Sequence, residues 1–188
     1  MLRLFTDVGQ CLTAVLLLAA SVLFAEAPAA LWIDVPFVAQ PREGCGAASL
    51  AMLMQYWAGK QGTAASADSD VARIQHALYA PREHGIPAAA MGEYLRQHGF
   101  KAFAFAGKWS DLEEQVAKGR PLIVALRPRG QSELHYVVID GVDSARGLVT
   151  MNDPADRKLL SEERTRFEKD WSATHNWTLL AVPAAGSR

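Results

Sequence analysis

Cysteine is scarce in this chain of 188 residues, which holds only Cys11 and Cys45. Cys11 lies in an N-terminal segment with the pattern of a removable export signal, so cleavage leaves Cys45 as the only thiol. A lone cysteine excludes a framework of internal disulfides. In an exported protein such a thiol is buried, paired with another chain, or reactive.

An excess of charge of one sign is also lacking. The sequence carries 19 basic and 20 acidic residues, and removal of residues 1–29 leaves 18 of each. A chain with balanced charge has no net field that attracts nucleic acid or anionic lipid. We therefore expect no nucleic acid partner.

Two kinds of ligand-binding motif are missing as well. The C-x-x-C and H-x-x-H spacings that usually build zinc sites are absent, and so is a glycine-rich loop that cradles phosphate. The sequence therefore predicts no metal, no nucleotide and no other cofactor.

The N-terminus has the pattern of an export signal. Arg3 gives a weakly basic start, residues 12–25 are uncharged and rich in Leu, Val and Ala, and residues 27–29 read Ala-Pro-Ala. This order of basic, apolar and small residues is typical of a secretory signal. We place cleavage near Ala29.

The predicted organisation is a signal over residues 1–29 and a single domain over residues 30–188. About 159 residues suffice for one domain with a substantial core. The uncharged stretch over residues 8–25 is 18 residues long, at the short end of what spans a bilayer, so an uncleaved membrane anchor is the alternative. In both cases we expect the domain outside the cytoplasm, in the periplasm or beyond the cell.

The hydrophobic pattern predicts helices first and mostly antiparallel strands afterwards, which is an α+β organisation. Residues 46–58 are apolar on nearly every face, which is typical of a buried central helix. A shorter helix is expected to begin at a Ser110 cap, with Glu113 at the capping-box position. The other predicted helices are 70–79, 88–98 and 161–171, and the predicted strands are 100–105, 121–126, 135–142, 148–151 and 177–182.

Cys45 lies where a polar loop ends and the central helix begins. A thiolate is the useful nucleophile, and the positive end of a helix dipole stabilises it. Gly44 and Gly46 flank the cysteine, so nothing bulky shields the sulfur or its backbone N–H. That N–H can donate to a developing oxyanion, and the amide of Gln40, five residues upstream, is the candidate second donor.

A nucleophilic thiol needs a base, and His135 is the candidate. It opens an otherwise apolar strand, where a polar side chain needs a reason. A histidine with a purely structural role at a strand end is the alternative. The remaining histidines are in contexts typical of surface residues; they are His76, His84, His98 and His175.

An imidazole base also needs a group that holds its tautomer, and Asn152 and Asp153 are the candidates. We expect Val142 to pair with Leu148 across a five-residue turn. In that register Asp153 is the diagonal neighbour of His135 on one face of the hairpin, whereas Asn152 points to the other face. We therefore favour Asp153.

Together these motifs resemble the bacteriocin-processing cysteine peptidases, peptidase family thirty-nine, whose papain-like domains are often fused to ABC exporters or stand alone. The resemblance covers residues 36–177. It implies a papain-like fold, with an N-terminal helical half packed on a C-terminal antiparallel sheet and the site in the cleft between them. The segments that carry it are Gln40 with Cys45-Gly46, Gly119 to Val124, His135-Tyr136-Val137-Val138 and Asp153-Pro154.

Carried over to this chain, the resemblance implies that Cys45 is the nucleophile, His135 the general base, Asp153 its orienting group and Gln40 the oxyanion donor. The implied reaction is acyl transfer through a thioester, followed by hydrolysis. The better-known members of that family cut after a Gly-Gly leader.

Three functions compete at this point. The first is an exported cysteine peptidase, which we expect to act as a monomer on a peptide or protein substrate. The second is a related acyltransferase or amidase with the same triad, and the third is a binding module of this fold without catalysis. The complete set of Cys45, His135 and Asp153 argues against the third, because a binder has no need of all three.

Overall fold

The computed structural model describes residues 30–128, 130 and 133–185. The predicted signal over residues 1–29, including Cys11, lies outside the described residues. Across the described part of the chain, no helix has the length and apolar character needed to cross a membrane.

The helical half is built around α1, which is buried along most of its length. Ten of its 16 residues are buried, as the apolar pattern predicted. Leu50 and Leu53 are fully buried in the core, and each such side chain contributes about 1.5–3 kcal/mol relative to an exposed position. The helices are α1 Cys45–Lys60, α2 Val71–Leu78, α3 Ala88–Gln97, α4 Trp109–Ala117 and α5 Arg164–Ser172, with a short 3-10 helix over Ala67–Ser69.

The strands form one antiparallel sheet in the order β2-β7-β3-β4-β5-β6, with the short β1 paired to β4. The central strand β3 is buried at all five positions. Helices on an antiparallel sheet confirm the predicted α+β class. The strands are β1 Leu31–Trp32, β2 Phe100–Ala106, β3 Leu122–Leu126, β4 His135–Asp143, β5 Leu148–Asn152, β6 Leu160–Glu163 and β7 Trp177–Pro183.

Two predicted helix starts are wrong. Residues 160–163 form β6, with Glu162 opposite Val149, so α5 begins only at Arg164. The cap of α4 is Lys108 rather than Ser110. Its backbone N–H donates to the Asp111 carboxylate at 2.7 Å. Pairing with β5 moves the start of α5 to Arg164, and the Asp111 carboxylate moves the cap of α4 from Ser110 to Lys108.

The β4–β5 hairpin differs in register from the prediction near its turn. Asp143, rather than Val142, lies opposite Leu148, so the turn has four residues instead of five. A β-bulge at Asp140 then adds one residue to β4. Beyond the bulge Val138 pairs with Asn152, which is the register that the five-residue turn predicted.

Candidate active site

Cys45 is the first residue of α1, and a tight turn over residues 41–44 precedes it. The Gly44 N–H donates to the carbonyl of Pro41 at 2.9 Å. A Cβ at Gly44 would lie 2.6 Å from the Pro41 ring, so only glycine fits this turn without a shift. No side chain caps α1, and the first N–H groups of a helix have no partner within the helix. The start of α1 therefore presents free donors around the partly buried thiol of Cys45.

His135 and Asp153 are hydrogen-bonded to each other. The Nε2 atom of His135 lies 2.7 Å from Oδ1 of Asp153, with both side chains less than one-fifth exposed. Oδ1 also accepts the backbone N–H of Ala155 at 2.9 Å. The turn after β5 thus holds the carboxylate, and the carboxylate fixes the orientation of the ring.

The thiol of Cys45 lies close to the same ring. Its hydrogen bond and its charge contribute to the raised pKa of His135, and its sulfur is 4.0 Å from the carbonyl of Leu134, the residue before His135. Because Nε2 faces Asp153, Nδ1 is the ring nitrogen left for the sulfur. The structure therefore brings the predicted nucleophile, base and orienting group together in that order.

The charges of this cluster support one another. Burial alone would lower the pKa of His135, but the hydrogen bonds and negative charges of Asp153 and Cys45 outweigh it and raise the pKa to about 9. Burial alone would raise the pKa of Asp153, but the hydrogen bond and positive charge of His135 outweigh it and lower the pKa. The arrangement favours an imidazolium held against a carboxylate.

Gln40 is tied to the same region through its backbone. Its N–H donates to the carbonyl of Pro154 at 2.9 Å, so the loop before Cys45 is fixed to the turn that carries Asp153. Its Oε1 atom is buried and has no hydrogen-bond partner among the described residues. Its role as an oxyanion donor stays a prediction.

Asn152, the rejected alternative, lies elsewhere. It is fully buried, its amide donates to the carbonyl of Val35 at 3.1 Å, and its oxygen accepts the N–H of Leu159 at 3.0 Å. These contacts give it a structural role. The geometry agrees with the choice of Asp153 as the partner of His135.

A cleft of about 410 Å³ opens beside Cys45. It is lined by the segment over residues 82–88, by Cys45, and by residues between the end of β3 and the start of β4. Tyr136 contributes to the lining and was missed by the sequence analysis. The only sequence signal for it was its position directly after His135. The lining side chains beyond that segment are Cys45, Arg127, Glu133, Leu134 and Tyr136.

Glu43 connects the turn before Cys45 to the cleft loop. Its carboxylate accepts the hydroxyl of Tyr79 and lies 3.6 Å from Nδ1 of His84. The hydrogen bond from Tyr79, aided by the charges of Arg42 and His84, outweighs burial and lowers the pKa of Glu43. His84 is exposed, as predicted, but it also lines the cleft.

The other histidines make no contact with the cluster. His76 and His175 are exposed, as predicted. His98 is partly buried instead, since it stacks on Tyr94 with ring centroids 4.0 Å apart. Among residues 30–128, 130 and 133–185, no three His, Cys, Asp or Glu side chains are grouped to hold a metal ion.

A thiol at the start of a central helix, facing a histidine on an antiparallel sheet, defines the papain-like fold class. The model of the Peptidase_C39 like family matches residues 32–179, and the chain belongs to that family. The matched range includes Cys45, His135 and Asp153. The family and the fold support a cysteine peptidase function.

Solved structures show the same fold at low sequence identity. A crystal structure described as a C39-like peptidase from Bacillus anthracis has a TM-score of 0.65 at 17% identity, with 81% of this chain and 97% of that chain covered. The peptidase domain of Streptococcus ComA, a bi-functional ABC transporter, has a TM-score of 0.60 at 21% identity, with 78% of this chain and 97% of that chain covered.

A third similar structure contains a ligand. It is a double glycine motif protease from an AMS/PCAT transporter in complex with the leader peptide, with a TM-score of 0.60 at 21% identity and 81% and 94% of the two chains covered. The comparison with curated proteins gives no match.

Proposed function

We propose that this chain is an exported thiol peptidase that hydrolyses peptide bonds with Cys45, His135 and Asp153. The observation that carries the proposal is the bond of 2.7 Å between His135 and Asp153, with the thiol of Cys45 close enough to the imidazole to help raise its pKa. A nucleophile, a base and an orienting group in contact are the parts that acyl transfer through a thiol requires.

The reaction begins with transfer of the Cys45 proton to His135. The sulfur then attacks the carbonyl carbon of the scissile bond, and the carbonyl oxygen becomes an oxyanion. A protonated His135 is consistent with its raised pKa of about 9. The helix dipole of α1 adds stabilisation to negative charge at its first turn.

The oxyanion receives hydrogen bonds from two donors. One is the backbone N–H of Cys45, at the uncapped start of α1. The other is the side-chain amide of Gln40, whose backbone is fixed to Pro154. Loss of one such donor typically lowers the rate by roughly 10²–10³.

Collapse of the first intermediate breaks the C–N bond. His135 gives its proton to the leaving amine, and the acyl group remains on Cys45 as a thioester. His135 then removes a proton from water, the resulting hydroxide attacks the thioester, and the free acid leaves with the thiol restored. Asp153 holds the ring in one tautomer through both halves of the reaction.

The substrate class is a peptide or protein segment that reaches the cleft beside Cys45. One structure of the same fold is a double glycine motif protease in complex with a leader peptide. That complex supports a peptide as the ligand of this chain as well.

Export is part of the proposal. It rests on residues 1–29, where a basic start, an uncharged apolar stretch and small residues follow one another. In cells, fractionation with an antibody against the domain tests it. Recovery of the protein from the cytoplasm alone, at full length, would contradict export.

The function is tested with the protein over residues 30–188 and a diverse peptide library, read by mass spectrometry. We expect cleavage by the unaltered protein and none by Cys45→Ala. Iodoacetamide should alkylate Cys45 and abolish cleavage, because the thiol is the proposed nucleophile. Cleavage that persists in Cys45→Ala would refute the proposed nucleophile.

A further inference from the structure

Tyr136 has a buried hydroxyl without a hydrogen-bond partner. The residue is 3% exposed, and its oxygen makes no hydrogen bond to any described residue. The ring is well packed, because it meets Trp177 edge to face with centroids 5.5 Å apart. Its edge also passes 3.5 Å from where a Cβ would be placed on Gly46, beside the thiol.

Such a hydroxyl is costly in the free protein. An unsatisfied buried polar group costs about 1–3 kcal/mol, and phenylalanine would keep the same ring packing without that cost. Most buried polar groups in folded proteins are hydrogen-bonded, so an exception calls for an explanation. A ligand group that arrives in the cleft would supply the missing partner.

The location of the hydroxyl defines which part of a substrate it meets. Tyr136 lines the cleft beside Cys45, together with Ile86 and Leu134. Gln40 and Asp153 do not line that cleft. Tyr136 is therefore placed to contact a peptide bound in the cleft beside Cys45.

The hydroxyl also stays protonated. Burial, followed by the negative charges of Cys45 and Glu83, raises the pKa of Tyr136. A neutral phenol can donate its O–H to an acceptor. In a peptide, the recurrent acceptor is the main-chain carbonyl oxygen.

We propose that the Tyr136 hydroxyl donates a hydrogen bond to a main-chain carbonyl oxygen of the peptide bound in the cleft beside Cys45. Tyr136 is then a substrate-binding residue, and the peptide satisfies a donor that the free protein leaves unpaired. This inference rests on the proposed peptidase function.

The first test compares Tyr136→Phe with the unaltered protein on peptides that the library identifies. We expect kcat/KM to fall about tenfold, through KM rather than kcat, because one hydrogen bond in binding is lost. The melting temperature should stay the same or rise, since the variant removes an unpaired polar group. A kcat/KM within twofold of the unaltered protein, or a melting temperature lowered by several degrees, would overturn the proposal.

Tyr56→Phe is the matched control. Its hydroxyl donates to the carbonyl of Gly119 at 2.7 Å and lies near the other end of α1. This variant should lose stability and keep its kcat/KM. The two tyrosines therefore predict opposite results in both measurements, which a general effect of removing a buried hydroxyl would not produce.

A second test needs no turnover. N-acetyl dipeptide aldehydes bind reversibly to a reactive cysteine, and their affinity is read as protection of Cys45 from iodoacetamide. We expect Tyr136→Phe to lower the affinity for the aldehydes about tenfold. The rate at which iodoacetamide alkylates Cys45 without an aldehyde should stay unchanged. Replacing one amide of the aldehyde by a trans-alkene should weaken binding to the unaltered protein but not to Tyr136→Phe.

The two arms separate the two proposals. If the unaltered protein binds the aldehydes but cleaves no library peptide, the peptidase function is refuted. The comparison of aldehyde affinities between the unaltered protein and Tyr136→Phe still tests the role of Tyr136. Equal affinity of both proteins for the aldehydes, or no affinity in either, would refute the role of Tyr136. Normal cleavage by both proteins would refute that role alone.

Discussion

The β4–β5 hairpin and the turn that follows it hold two aspartates with opposite pKa shifts, of which Asp140 is fully buried and Asp153 is partly buried. Asp153, at the site end, accepts hydrogen bonds from His135 and from the N–H of Ala155. Asp140, at the bulge, is fully buried, and neither carboxylate oxygen has a hydrogen-bond partner among the described residues. The pKa of Asp153 is lowered, whereas burial raises the pKa of Asp140 to about 7.

The difference shows that partners, rather than burial, decide the charge of a carboxylate in this sheet. Burial acts on both residues in the same direction. At Asp153 a cation and backbone donors reverse its effect. At Asp140 the positive charge of Lys158 opposes it only in part. The pKa of Asp153 is thus lowered, which favours its ionised form in the site, whereas Asp140 is mostly neutral only below about pH 7.

The largest expected contrast is in activity. Asp153→Asn keeps the shape but removes the charge that holds His135, so we expect kcat to fall by on the order of 10³. Asp140→Asn is the matched control at the bulge of β4, and its kcat should change by less than about threefold. Initial rates on one library peptide give both values. Equal losses in the two variants would contradict a special role for Asp153.

The second contrast is in the pH dependence of stability. Asp140 has a folded-state pKa of about 7, above its ordinary 3.8. Its stabilising contribution is therefore complete below pH 3.8 and is lost as the pH rises to 7. The contribution of Asp153, whose pKa is lowered, depends on pH in the opposite direction. It is present above pH 3.8 and is lost as the pH falls through the folded-state pKa of Asp153.

Asp140→Asn should consequently gain stability relative to the unaltered protein as the pH rises from 4 to 6.5. The gain is roughly 2–4 kcal/mol, from the size of the pKa shift. Urea unfolding at several pH values measures it, and this range lies mostly below the region where His135 titrates. Parallel curves for the two proteins would show that Asp140 is not the group that titrates.

Much of the site could be predicted from the sequence, because each residue stood out against its own local pattern. Cys45 lies at the boundary between a polar loop and an apolar helix, and His135 opens an apolar strand. Each signal is local, and strand alternation then separates Asp153 from Asn152. The structure brings Cys45, His135 and Asp153 into contact; their catalytic roles stay predictions.

The register of the hairpin shows where such prediction ends. The expected turn was one residue too long, and the bulge at Asp140 was not expected. The two differences cancel, so Asp153 reaches His135 as predicted. A bulge depends on how β1 and β5 pair with the two edges of β4, and no local pattern encodes that.

Two further features depend on tertiary contacts. Residues 160–163 become a strand because β5 offers an open edge, although their charges favour a helix. The Tyr136 hydroxyl has no acceptor among the described residues, and only the packed structure can reveal this. Neither property belongs to the residue type or to its neighbours in sequence.

The smallest expected effect is a loss of stability in Asn152→Ala, which distinguishes the structural role of Asn152 from the proposed catalytic role of its neighbour Asp153. Asn152 joins two segments, since it donates to the carbonyl of Val35 and accepts the N–H of Leu159. Asn152→Ala leaves both groups unpaired, so the free energy of unfolding should fall by about 2–3 kcal/mol. Urea unfolding measures this loss, and kcat per folded molecule should change far less than in Asp153→Asn.

Gln55→Ala is the control for a single lost bond, because the amide of Gln55, within α1, donates to the carbonyl of Ser69 at 3.0 Å. It should lose less stability than Asn152→Ala. If Asn152→Ala instead abolished turnover in a stably folded protein, the partner of His135 would be Asn152, and the hairpin face inferred for Asp153 would be wrong. The neighbouring residues thus divide stability and catalysis between the two faces of one strand end.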